Sequence, residues 1–112
     1  MKLTPEMLAG MYTFLRQCEP FSKMGLPPAH AVRFRVVSAK DIHADFGIEK
    51  GRPTIRVSRH GAGHLITLAA AMSHEMIHLD QYQTGDRETH GPRFQRKAKK
   101  ICALFGFDPQ TF

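Results

Sequence analysis

A chain of 112 residues has room for one hydrophobic core, so a second catalytic unit is excluded and a single domain over 1–112 is expected. With 42% hydrophobic and 23% charged residues it has the balance of an ordinary globular chain, which rules out disordered and fibrous classes. Sixteen basic against ten acidic residues leave a charge of +6, a surplus that attracts nucleic acid or acidic surfaces without choosing between them.

Thr4 is placed to cap a helix that Pro5 opens, and Met7, Leu8, Met11, Phe14, Leu15 and Cys18 recur at helical spacing, predicting a helix over 5–18. Pro5 and Glu6 interrupt any secretory apolar run. The longest apolar stretch, Leu65 to Met72, falls far short of the roughly 20 residues a membrane helix needs. A cytoplasmic location with no membrane partner is therefore expected. Pro20, Gly25, Pro27 and Pro28 make a stiff, ordered loop. Val32, Phe34 and Val36 then alternate with Arg33, Arg35 and Val37 as in a half-buried strand, and a second run spans Ile42 to Ile48. A turn from Gly47 to Pro53 leads to a third strand over Thr54 to Ser58. Three successive strands with short connections predict an antiparallel meander. Helical spacing resumes from about His64 to Gln83, and a polar loop covers Thr84 to Thr89. Gly91-Pro92 opens a last helix with Phe94, Ala98, Ile101 and Phe105 on its apolar face and Gly106 as its stop. The class is α+β. Cys18 and Cys102 form no CxxC pair and are read as small apolar residues of helix faces.

The chemistry concentrates in His74-Glu75-Met76-Ile77-His78, an HExxH motif on the central helix. Two imidazoles four residues apart stand about 40° apart around the axis and about 6 Å apart along it, so both can reach one cation. Glu75, about 100° round from His74, is better placed to hydrogen-bond a water than to ligate. Leu65, Leu68, Met72, Met76 and Leu79 are expected as an apolar stripe opposite the histidines, while Thr67, Ala70 and Ala71 leave space for a substrate on their side. A catalytic zinc takes a third protein ligand. The metzincin spacing fails, because positions 81 and 84 are Gln and Thr. Asp86, Glu88 and His90 remain as candidates, and His90 has the firmest mounting because Gly91-Pro92 fixes it to the start of the last helix.

HEMIH, the short polar loop, DRETHGPRF and the basic amphipathic helix resemble the SprT-like zinc metalloprotease domain of the Spartan/SprT family, over roughly residues 31 to 108. The resemblance implies a zincin-like fold, Zn2+ held by His74, His78 and His90, and Glu75 as general base in peptide hydrolysis. The chain stops at Phe112 with no cysteine after Cys102, so a minimal form without the C-terminal zinc ribbon of many relatives is expected. The partners implied are a protein or peptide substrate and, through the last helix, DNA. Arg93, Arg96, Lys97 and Lys100, with Lys99 and the nearby Arg87, form a basic stripe able to hold a nucleic-acid backbone. Thr54 to Ser58 is expected as a sheet edge open to an extended substrate. Tyr82 is assigned to ordinary packing, Asp86 and Glu88 equally to orienting the imidazoles or to solvated loop carboxylates, and His30, His43, His60 and His64 to no site. The alternative is a non-enzymatic nucleic-acid-binding domain in which the same histidines hold a structural zinc.

Overall fold

The computed structural model describes residues 2–112. Three α-helices, α1 (Pro5–Arg16), α2 (Leu65–Thr84) and α3 (Pro92–Phe105), accompany a three-stranded sheet of β1 (Arg33–Val37), β2 (Ala44–Glu49) and β3 (Arg52–Ser58). The class and the element order are those expected. No helix among the described residues is long and apolar enough to cross a membrane.

Each helix is bounded by local chemistry. Thr4 Oγ1 accepts from the Met7 N–H at 3.2 Å and Pro5 occupies the first turn, as the cap pattern requires. α1 stops at Arg16 rather than at 18, where Gln17 caps it and Pro20 lies too close for the helix to continue, so Cys18 sits beyond the helix while Cys102 is buried on α3. Two short 3-10 turns, Phe21–Lys23 and Ala29–Ala31, punctuate the following loop. It is pinned to α1 by the Tyr12 hydroxyl donating to the Pro27 carbonyl (2.6 Å) and by Arg16 Nε donating to that of Leu26 (3.0 Å). Burial pushes the Tyr12 phenol up to about 12. α2 and α3 both end on left-handed glycines, Gly85 and Gly106.

The sheet is not an antiparallel meander. Its order is β1-β3-β2, with β1 parallel to β3 (Phe34 opposite Ile55) and β2 antiparallel to β3 (Phe46 opposite Ile55). The β2–β3 turn is tighter than expected. Lys50 and Gly51 both have positive φ, the two-residue hairpin geometry that matches strand twist, and Glu49 pairs directly with Arg52. The connection over 38–43 then carries the chain from β1 past β3 to the far edge. Two strand spacings are about 10 Å, well within the reach of six residues. Thr54 to Ser58, expected as an edge, therefore runs down the centre, and β1 and β2 are the edges.

α1 packs on α2 and β1, and α2 packs also on β2, β3 and α3. The core gathers Leu8, Tyr12, Ile55, Val57, Leu68 and Met76, all fully or almost fully buried. The apolar stripe on α2 holds for Leu68, Met72, Met76 and Leu79. Leu65 departs from it, remaining 65% exposed on the first turn, while Ile77, Asp80 and Gln81 are buried on other sides. A helix covered by the sheet, α1 and α3 has no wholly polar face in its second half.

Candidate metal centre

His74 and His78 lie on successive turns of α2, and His90 reaches them from the last residue before Gly91, the cap of α3. One ligand nitrogen from each lies within 4.8 Å of the others. His74 Nε2 and His90 Nε2 are 3.4 Å apart. Two nitrogens about 2.0–2.1 Å from a shared tetrahedral ion stand about 3.3–3.4 Å apart, so this pair already has the spacing an ion needs. The three imidazoles can hold a metal ion.

The Nδ1 atoms of His74 and His78 are committed elsewhere. His74 Nδ1 donates to the Phe112 carbonyl oxygen at 3.1 Å, and His78 Nδ1 donates to Gln81 Oε1 at 2.8 Å. Both contacts are to acceptors, which fixes Nδ1–H and leaves the Nε2 lone pair for the cluster. Burial pushes His74 down to about 4, with His78 and His90 adding to the depression against the Phe112 bond. Burial also lowers His78, opposed by its Gln81 bond. Both rings are thus neutral at physiological pH, the form that ligates.

Phe94 stands at the hub of the three rings, with its centroid 4.9 Å from His74, 4.9 Å from His78 and 4.8 Å from His90. Its burial on α3 gives the imidazoles a fixed apolar floor. Gly91 explains the backbone beside His90. A Cβ there would meet Glu88 Cβ at 2.6 Å, and the Gly91 N–H donates to the Glu88 carbonyl at 2.9 Å, so the loop closes only on a glycine.

Glu75 is 5% exposed and forms no hydrogen bond among the described residues. Burial, helped by the nearby Asp45 carboxylate, pushes it up to about 8. Asp45 itself is held by Arg56, whose Nε donates to Oδ1 at 2.6 Å. Glu75 and His74 line the junction of two cavities. One, of about 680 Å³, runs along the first half of α2 past Thr67, Ala70 and Ala71, the small residues expected to leave space. The other, of about 490 Å³, is lined by polar and charged groups including Asp45, His78, Gln81 and Arg87.

Asp86 and Glu88 stay outside the histidine cluster. Their link to it runs through Gln81, whose Nε2 donates to Asp86 Oδ2 (3.1 Å) and to the Glu88 carbonyl (3.0 Å). In the sequence Gln81 is legible only as a residue that breaks the metzincin pattern; its i,i+3 spacing from His78 is the available signal. The Phe112 carbonyl, a backbone group 38 residues from His74, leaves none. Tyr82 is half exposed and packs on Phe46. Arg93, Arg96, Lys99 and Lys100 are exposed on α3, but the Lys97 ammonium is taken by the buried carboxylate of Asp80, so Lys97 departs from the basic stripe.

No curated protein matches the chain. The model of the SprT-like family matches residues 12–112, nearly the whole chain and further at both ends than the motifs alone indicate. With its HExxH histidines and the histidine of HGPRF meeting at one point, the chain belongs to the SprT-like family.

Proposed function

We propose that this chain is a zinc-dependent metalloendopeptidase with a zincin-like arrangement of helix and edge strand. The observation that carries the reading is the convergence of three imidazole nitrogens beside a buried carboxylate at the meeting of two cavities. Three histidine nitrogens are one of the sets that catalytic zinc uses while keeping one position open. When bound, zinc polarises the scissile carbonyl and lowers the pKa of a water towards about 7. His74, His78 and His90 would hold it. Glu75 takes the proton of the attacking water and returns it to the leaving amine. The substrate backbone lies extended along β2, the edge strand that contributes Ala44 to both cavities and Asp45 to the polar one.

Glu75→Gln tests the base. Zinc content should stay at one equivalent while cleavage of an unfolded protein falls by about 10² to 10⁴-fold. Undiminished cleavage by that variant removes Glu75 from the mechanism. Zinc retention in a wild type that cleaves nothing would return the site to a structural role.

The substrates proposed are DNA-associated proteins, presented by the exposed basic residues of α3. Arg93, Arg96 and Lys100 changed together to glutamate should weaken DNA binding and flatten its dependence on salt, by about one unit of slope for each phosphate no longer neutralised. An unchanged slope would leave that face as a solvated surface.

A further inference from the structure

We propose that the larger cavity beside Glu75 is a side-chain pocket that selects a large apolar residue of the substrate next to the cleaved bond, a reading that rests on the peptidase assignment. Three separate parts of the chain build it: Ile66 and Ala70 on α2, Ile42 and Ala44 at the entry to β2, and Phe107 and Phe112 after α3. Ala70 lies one turn before His74 on the same helix face, so its methyl side chain leaves depth directly beside the metal ligand. Phe107 and Phe112 form the opposite wall, with rings nearly parallel at 14° and centroids 6.1 Å apart. That wall is tied to the site itself, because the Phe112 carbonyl accepts from His74 Nδ1.

Size, charge and rim agree on the occupant. About 680 Å³ exceeds the need of one small side chain and falls in the range of pockets that enclose most of a ligand. Apart from Glu75, Asp108 is the carboxylate in the lining, and its Oδ1 accepts the Gln110 N–H at 2.9 Å, against an otherwise largely apolar wall. Ile66 is 65% exposed, apolar surface in the lining that an incoming apolar residue would cover. The two cavities differ in kind. A chain crossing Glu75 along β2 meets apolar surface on one side and charged groups on the other, so selection by the pocket falls on one flank of the scissile bond.

Two measurements on the full chain test this. In the first, zinc-loaded protein digests an unfolded protein mixture and the cut sites are mapped by mass spectrometry. Phe, Leu, Met and Trp should be enriched at one fixed flanking position by about tenfold or more over Gly and Lys, the scale of burying one large apolar side chain. Ala70→Phe, which fills the pocket, and Ile66→Asp, an exposed change at its rim, should remove the enrichment while cuts beside small residues continue. In the second, the peptide acetyl-Gly-Gly-Trp-Gly-Gly-amide is titrated into the metal-free protein. The chain contains no tryptophan, so the peptide's emission is read directly. A blue shift on binding is expected, with displacement by the Leu-centred peptide at about one tenth the concentration of the Gly-centred one. Cutting without side-chain preference overturns the pocket and leaves the peptidase reading in place. No cutting, with a blue shift that Ala70→Phe abolishes, overturns the peptidase reading and retains the pocket. Neither cutting nor binding overturns both.

Discussion

Gln81 shows how much of the centre depends on a side chain that touches no metal. It is 3% exposed, and its amide is fully engaged, accepting from His78 and donating to Asp86 and to the Glu88 carbonyl. One group thereby orients a ligand on α2 and anchors the loop that delivers His90. Gln81→Ala should weaken zinc binding by about 10 to 100-fold in a chelator competition, the usual cost of losing such a partner. Gln81→Glu keeps an acceptor for His78 but sets a like charge against Asp86, so its affinity should fall between the two. Equal affinities in all three proteins would remove Gln81 from the site. HExxH makes His74, Glu75 and His78 legible because one helix fixes their spacing. His90 is one of three downstream candidates in the sequence, and only the closure of the loop on Gly91 separates it from Asp86 and Glu88.

Between elements, sequence pattern carries less. The strands over 33–37, 44–49 and 52–58 are visible in alternation, yet their order is not, since six linking residues reach a neighbouring position or the one beyond equally well. What places β3 in the centre is burial on both faces: Ile55 and Val57 on one, Thr54 and Ser58 on the other, none above 1% exposed. Its Arg56 lies between Arg35 on β1 and Asp45 on β2. The same limit applies to Lys97, which reads as one cation in a basic stripe until α3 is laid on α2 and Asp80 is found beneath it. Asp80 is 3% exposed, whereas the Lys97 side chain retains 31%. The two ends of this pair are therefore unequal. Lys97→Met leaves a buried carboxylate uncompensated and should cost about 3 kcal/mol in denaturant unfolding. Asp80→Asn leaves an ammonium that can turn to water, and should cost less. The reverse ranking would mean that Asp80 finds another partner.

Across the whole molecule, the centre loads the fold with groups whose preferred charge opposes burial, and this makes stability depend on pH. His74 titrates at about 4 in the fold against 6.5 ordinarily, so between those values the unfolded chain holds the extra proton and acid destabilises; His78 shifts the same way. Glu75 titrates at about 8 against 4.5, so there the folded chain holds the extra proton and stability falls as pH rises. Below 6.5 the two effects oppose each other. From 6.5 to 8 the histidine contribution is complete and Glu75 acts alone among the shifted groups, since Tyr12 moves to about 12 and Cys102 rises from 9.0. Metal-free protein should therefore lose several degrees of melting temperature between pH 6.5 and 8 at constant ionic strength. The Glu75→Gln variant should be flat over the same interval. Zinc should raise the melting temperature of both proteins, because it binds the folded state, and the increment should shrink in acid as the pH approaches about 4, where a proton competes for His74. A wild type as flat as the variant from 6.5 to 8 would show that Glu75 reaches enough solvent to ionise freely, contrary to its burial beside Asp45.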